Sequence, residues 1–557
     1  MPASALEPPP PAHPSPPSPP PPSPPSLPSL PSLPSLPGVS ATAVAATDPV
    51  QPLRTDVACF AGRTRRGPLA SPVRVTDWAA YTAVFGGLDA ALDLPYAVRG
   101  YFANGGTALW VLRTEPAGPT PAAAAWPAGA PSPFAPAAGC RIEAASPGGW
   151  ADGTRVTVRH RPAGAAGQPQ VLVRVDSPGE SPESFGWLRA TELPAAVSAL
   201  SRLVRLVPDA LAPVSPATTA HAGAHTVTLA GGTPLPGGPD DSGTLADAYA
   251  DAVRAMAQLP EPALLALPDL DRCGVGEQHR EELADLLVEG CAQALDRLAL
   301  LDPPRTPDTD VDPVAATRRA TDWMEALRQR HDTAGLQACA VHWPPLRVPD
   351  PLATVPPALR TVPASGHVAG TAARLDRERG AFATPANASL EDVVDLAHVL
   401  RAEQEIAVYA SGANLLRCPP GRGPLVWGGR TAVPPARAGG VGDGWFIAHR
   451  RLLHRLVRAA RAVAEPLLFE PDTPGLRLLL VQGLTEVLLG LFEAGALAGE
   501  RPTEAFRVRC DEGLNPPDLV ALGQLVCQVE VAPAAPMEFI AVRLLMGGRD
   551  RLEVVEA

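Results

Sequence analysis

Asp269, Asp271, Cys273 and His279 stand just after the apolar run ALLALP. If that run is a strand of a parallel sheet, they lie where such sheets present ligands, at a strand's carboxyl end. Nothing around them completes a catalytic set. The chain has no GxSxG, HExxH or Walker A string and no paired-histidine metal spacing, so a nucleophile elbow, a zincin site and a phosphate-cradling loop are all missing. It has no lysine either, which removes Schiff-base, Ser-Lys and P-loop lysine chemistry. The string Gly439-Gly440-Val441-Gly442-Asp443-Gly444 follows a Pro/Ala-rich loop and not a strand, and reads as a hinge rather than a dinucleotide loop. Neither a cofactor nor a metal is implied. An enzymatic reading would rest on fold analogy alone, and fold analogy carries no activity.

Composition narrows the remaining classes. At 557 residues the chain is long enough for several domains. A net charge of -12 argues against a polyanion binder, and nucleic acid is not an expected partner. The cysteines Cys59, Cys140, Cys273, Cys291, Cys339, Cys418, Cys510 and Cys527 form no CxxC pair, and the first residues lack a basic segment followed by an apolar one. Reduced thiols and assembly in the cytoplasm are therefore expected. The apolar stretch Leu476 to Phe492 is interrupted by Arg477, Gln482 and Glu486, so no membrane insertion is expected.

The elements that would position these residues follow from local pattern. Residues 1–36, PPSPPSPPPPSPP running into repeated SLP, form a proline-rich leader without core-forming residues: a disordered spacer or an SH3-type ligand. Residues 37–115 are expected to hold an arm and the first strands of a sheet, in VACFAG and in ALWVLR after the Asn104-Gly105 turn. Alternation in TRVTVRH and QVLVRVD predicts an inserted, mainly β domain over 116–239. Over 240–438 helices and apolar strands alternate, which predicts a parallel sheet with crossover helices. Ser389 and Asp392, in capping-box relation, predict a further helix start there. The remainder, 439–557, reads as two helices, an arginine-rich one from Trp445 and an apolar one from Leu476, followed by terminal strands in MEFIAVRLLM and RLEVVEA.

A set of short strings runs in order along the chain: Phe60-Ala-Gly62 with Arg66-Gly67-Pro68, Phe102-Ala-Asn104-Gly105-Gly106, Ser365-Gly366 with Ala369-Gly370, Arg374 with Asp376, Arg379-Gly380, Pro385-Ala386-Asn387, Val426-Trp427-Gly428-Gly429-Arg430-Thr431, Arg450-Arg451-Leu452, Phe469-Glu470-Pro471 and Pro536-Met537-Glu538-Phe539. This order resembles the phage tail sheath family and the sheaths of contractile injection systems. One departure is near the start, where Pro37-Gly38-Val39 continues as Ser-Ala-Thr-Ala in place of the Y-V-E-E of the family's P-G-V-Y-V-E-E. The resemblance implies an α+β / α/β multidomain fold: a parallel-sheet sheath domain of subtilisin-like topology, an inserted β domain and a mixed α+β C-terminal sheath domain.

It also implies a structural subunit that polymerises with itself around an inner tube and contracts, meeting baseplate and tail terminator or cap proteins, in a virion or a released extracellular particle. The alternatives are a proline-rich scaffold that recruits partners and an α/β hydrolase-like enzyme. Under the sheath reading Phe539, Ile540, Val542 and Leu544 would form a strand donated to a neighbouring subunit or an ordinary core strand of their own domain. Arg379 and Arg430, beside Asn387 and Trp427 in the family-like strings, would pair with carboxylates such as Asp376, within the chain or across an interface. Arg451, Arg455 and Arg458 would present a basic face to the tube or simply to solvent.

Overall fold

The computed structural model describes residues 54–556 apart from 117, 129, 135–138, 163–168, 210–221, 234–242, 273, 306–311, 357, 434–444, 535–539 and 547–551, with side chains to residue 534. The proline-rich leader, Cys273, the glycine string from Gly439 to Gly444 and Phe539 lie outside the described residues.

An eight-stranded sheet organises the chain. Its order is Leu425–Val426, Asn414–Arg417, Cys339–Trp343, Leu298–Leu301, Leu264–Ala266, Ala58–Gly62, Leu109–Arg113, Val73–Val75. The six inner strands are parallel and the two edges antiparallel. Inner strands such as ACFAG, LALL and CAVHW are buried on both faces, which is why they read as continuous apolar runs without alternation. The helices Thr244–Gln258, Glu277–Ala294 and Pro313–Arg330 alternate with these strands and bury Tyr249, Leu287 and Trp323 in one core layer. On the other layer Phe60, Tyr101 and Val111 pack with Ala369 and Ala373.

Helix Leu94–Ala103 crosses helix Ser365–Arg379 at backbone contact. A Cβ on Gly366 would stand 2.5 Å from the Ala97 carbonyl oxygen, one on Gly370 2.3 Å from that of Tyr101, and one on Gly100 2.3 Å from the His367 ring. Glycine spaced at four residues is thus what lets these two helices close, and it accounts physically for the Ser365-Gly366…Gly370 string. Asn104, of Phe102-Ala-Asn104-Gly105-Gly106, ties the crossing: its amide donates to the carbonyls of Gly100 and Glu391, and its oxygen accepts from Thr371 and the Glu391 N–H.

Between residues 123 and 228 the chain forms a three-stranded and a four-stranded antiparallel sheet. Here Arg155–Arg161 and Gln170–Asp176 pair antiparallel with alternating burial, as the period-two pattern predicts. The last section holds helices Ile447–Ala464 and Pro474–Glu493 and a sheet ordered Phe506–Arg509, Leu525–Val531, Ile540–Met546, Leu552–Glu556. One apolar core joins the Leu476, Leu480, Leu484 and Leu488 stripe to this sheet.

The expected helix start at Ser389 is absent. Ser389 bridges to Leu425, Asp392 has a left-handed φ of 60°, and Asp395–Leu396 pairs with the Leu346–Pro349 strand. The next helix begins only at Ala402. Pairing with distant residues has overridden a local capping pattern: the N–H groups of Leu390, Glu391 and Val394 donate to Pro424, Asn104 and Arg347.

Candidate functional site: buried arginine-carboxylate clusters at the two ends of the sheet

Strand order reverses beside Ala58–Gly62, whose neighbours are Leu109–Arg113 on one side and Leu264–Ala266 on the other. A parallel sheet opens a ligand crevice at such a switch point, outside the strands' carboxyl ends. In this chain side chains occupy the part of it beyond Ala266. Asp269, just beyond Ala266, takes the place of an anion: its carboxylate accepts from the N–H groups of Arg63 at 3.0 Å, Asp93 at 2.7 Å and Leu94 at 3.3 Å, the last two at the start of helix Leu94–Ala103. Backbone donors at a helix start suit a negative group, and a carboxylate of the chain uses them.

Asp93 is enclosed by guanidinium groups. Arg360 contacts it at 2.8 Å, Arg272 at 3.2 Å, and Arg305 donates to its other oxygen. Asp271 pairs with Arg280 at 2.8 Å and Arg305 at 3.4 Å. Asp302 accepts the Ala364 and Ser365 N–H groups at 3.0 Å, seating the start of helix Ser365–Arg379. Burial, and then the Asp93 charge, push the Asp269 carboxyl up to about 7 against the backbone donors and Arg63. Burial likewise raises Asp302 to about 6. Beside them lies a small cavity of about 30 Å³, lined by Leu267, Asp271, Asp302 and Trp323, and a larger one of about 440 Å³ opens past the end of strand Leu109–Arg113, lined by Leu112, Thr114, Glu115 and Asp247.

Of the residues that sequence offers for chemistry, Asp269 is held by backbone N–H groups and Asp271 by arginines within one buried cluster, while His279 lies in the first turn of helix Glu277–Ala294. No group of acidic, histidine and cysteine side chains placed to hold a metal ion occurs among the described residues.

The opposite end of the sheet is tied by the arginine-rich helix Ile447–Ala464, and here the structure corrects the expected basic face. Arg451 and Arg458 retain only 1% and 2% of their accessible surface, and Arg455 is half-buried. Arg458 donates to the main-chain carbonyls of Arg54, Glu261, Pro262 and Asp296 at 2.6 to 3.2 Å, groups that precede the inner strands. Burial lowers its pKa to about 10, against the nearby Asp296 charge. Asp296 also holds Arg297 at 2.7 Å and Arg461 at 3.1 Å. Arg451 pairs with Asp376 at 2.6 Å and donates to the carbonyls of Thr55 and Ala372. Arg451 and Arg458 thus face the protein's own sheet and are not available to a tube.

The Asp376 carboxylate, expected to serve Arg379 or Arg430, is taken instead by Arg451 and the Thr55 hydroxyl. Arg379 is exposed. Arg430 stacks between Tyr409 and Trp445, at 4.1 and 5.0 Å from their ring centres, a cation-π clamp. Asn414 fixes the same turn, its oxygen accepting the Arg430 N–H and its amide reaching the Arg430 carbonyl, both at 2.7 Å. A Cβ on Gly428 would come within 2.7 Å of that Asn414 oxygen, and one on Gly429 within 2.3 Å of Thr384. The Trp427-Gly428-Gly429-Arg430 string is thus a close-packed corner. Trp427 is partly exposed with Arg417 over its ring, and Asn387 accepts from Arg422 at 3.1 Å in a left-handed conformation.

Within the chain Ile540–Met546, which carries Ile540, Val542 and Leu544, pairs with Leu525–Val531 on one side and Leu552–Glu556 on the other. The sheet's free edges are Phe506–Arg509 and Leu552–Glu556.

Residues 246–432 match the phage tail sheath protein central domain. A tail sheath protein of Vibrio phage KVP40 is 28% identical over 194 residues, 34% of this chain. The chain covers 27% of that relative's length. Among solved structures, a sheath tail protein from Desulfitobacterium hafniense superposes with a TM-score of 0.59 at 12% identity, covering 92% of this chain and all of the other. The anti-feeding prophage helical sheath in its contracted state gives 0.51 at 21% identity, covering 91% of this chain and 98% of the other. At these identities the solved structures establish a common fold.

Proposed function

We propose that this chain, which carries the phage tail sheath central domain on the fold of tail sheath proteins, is a structural subunit of a contractile sheath. It would polymerise with itself around an inner tube, attach to a baseplate and a terminator or cap, and contract to drive the tube through a target envelope, within a virion or a released extracellular particle. Its mixed α+β architecture would include the subtilisin-like order implied for the parallel sheet, without that fold's chemistry.

The observation that carries the reading is the coincidence of the sheath-domain match over 246–432 with a fold shared with sheath proteins along nine-tenths of the chain. The part of the fold that would hold a ligand in an enzyme is spent on ion pairs internal to the chain. Buried networks of this kind, when every member is paired, hold side chains in one arrangement. A subunit so braced can rotate as a body while thin connections at its edges bend. The edge strand Leu552–Glu556 would offer such a connection, since a strand at a sheet edge can accept a strand from another chain through main-chain bonds. Contraction would release strain stored in many repeated interfaces, with no nucleotide consumed.

Co-expression with the tube protein tests this. Hollow helical tubes in electron micrographs are the expected result; monomers or small closed rings with tube and baseplate present would overturn it, because only head-to-tail contacts that fail to close give filaments.

A further inference from the structure

Strand Phe506–Arg509 pairs antiparallel with Leu525–Val531 and sets Arg509 opposite Gln528; Cys510 and Cys527, the next residue on either side of that pair, both pack into the C-terminal apolar core. Directly opposed residues on antiparallel strands have Cβ atoms about 4.5–5.5 Å apart, near the separation a disulfide spans. Both cysteines are reduced. Their surroundings differ in a way that assigns each a part. Cys527 is fully buried in the C-terminal core beside Leu525 and Val529, and its partner and burial push its thiol far up. Cys510 is partly exposed at the strand's end, with the Asn515 amide 3.9 Å from its sulfur. The neighbouring Cys527 and the Arg477 charge hold the Cys510 thiol below its ordinary value, against burial and the carboxylates of Asp472 and Asp511. The thiols of Cys59, Cys140, Cys291, Cys339 and Cys418 are all shifted upward, chiefly by burial. Thiolate character together with access is what selects a reactive cysteine.

We propose that Cys510 and Cys527 are a latent redox pair that closes into a cross-strand disulfide when the protein meets a small-molecule disulfide such as oxidised glutathione. The Cys510 thiolate attacks one glutathione sulfur, forming a mixed disulfide and expelling one glutathione thiolate. Cys527 passes its proton to that thiolate or to solvent and attacks the Cys510 sulfur, expelling the second glutathione. Two protein thiols are oxidised and one glutathione disulfide is reduced. The new bond pins strand Phe506–Arg509 to strand Leu525–Val531 at the neck of the loop that carries helix Pro517–Ala521.

Incubating the full chain with oxidised glutathione and mapping its peptides without reductant tests this. The expected product is a Cys510–Cys527 linked peptide lighter by about 2 Da, the two hydrogens lost. Cys527→Ser should retain glutathione on Cys510, whereas Cys510→Ser should take none on Cys527. Wild-type protein in which both cysteines stay reduced while exposed Cys418 is glutathionylated would overturn the proposal. So would wild-type protein that keeps glutathione on Cys510 without forming the link. The wild-type map does not depend on how either variant folds.

Discussion

Arg451 and Asp376 meet at 2.6 Å with both side chains buried, although 75 residues separate them. The pair joins helix Ile447–Ala464 to helix Ser365–Arg379, and through Thr55 it also holds the approach to the first strand. Asp376→Ala should therefore leave a buried guanidinium without its carboxylate and cost about 3–5 kcal/mol. Replacing both partners by apolar residues, Arg451→Met with Asp376→Leu, should cost much less, since no charge is stranded. Urea unfolding of the two variants checks this, and equal losses for the single and the double variant would contradict it.

Helix crossing at glycine gives a second, purely steric prediction. Gly370→Ala places a methyl group 2.3 Å from the Tyr101 carbonyl oxygen, so the two helices must part, at about 1–3 kcal/mol for overpacking. Gly490→Ala, where a Cβ would meet nothing within 4 Å, should stabilise its helix slightly. Thermal melts that ranked the two variants the other way would refute the packing account.

Buried histidines set an acid limit. Burial lowers His342 and His367 to about 3 and His454 well below its ordinary value, the last aided by Arg450, Arg458, Arg451 and Arg297. In the unfolded chain each takes up a proton as pH falls through about 6.5, while in the fold each stays neutral. Their contribution to stability is therefore complete above that pH and lost below it. Asp269 and Asp302, raised to about 7 and about 6, act the other way: the fold keeps their protons, and their contribution is present at low pH and lost as pH rises through those values. Between about pH 4 and 6 the histidines outnumber the carboxyls by one proton, so stability should fall on acidification by about 1.4 kcal/mol per pH unit from these groups. His342→Leu should flatten the pH dependence by about one proton's worth. An unchanged slope in denaturation series across pH would rule out a buried neutral His342.

Much of this architecture is legible in the residues because it is local. The strands in RVTVRH and QVLVRVD show period two, and the helices alternating with ALLALP and LALLD show the period and length of crossover units. The arginine helix is legible as a helix but not as a buried one. Periodicity separates its apolar stripe from its arginine face, yet it cannot show that the second face is covered. The carbonyls and carboxylates that cover it come from Arg54, Glu261, Asp296 and Asp376, remote in sequence. One signal is available: five arginines in a helix that itself contains no acidic residue lack the local partners a solvated charged face usually carries. The Ser389 cap fails for the converse reason, a good local signal outweighed by strand pairing that only the fold reveals.

The termini separate assembly from folding, and they bear most directly on the proposed function. Deleting residues 2–36 should leave sheath formation intact, because a polyproline segment brings little apolar area and no ladder bonds. Truncation before residue 540 should abolish it, but it also removes two of the four strands of the C-terminal sheet, Ile540–Met546 and Leu552–Glu556, so loss of assembly alone would not distinguish a docking edge from a folding defect. Proline placed singly at Val554 or Val555 resolves this. On an edge strand alternate N–H groups point inward to the neighbouring strand and outward to the free edge, so one of the two prolines removes an inward bond and the other an outward one. The inward variant should lower the melting temperature of the subunit. The outward variant should melt as wild type and still fail to form tubes, if that edge is where a neighbouring chain adds its strand. Tubes of normal length from both variants in electron micrographs would show that subunits are joined elsewhere.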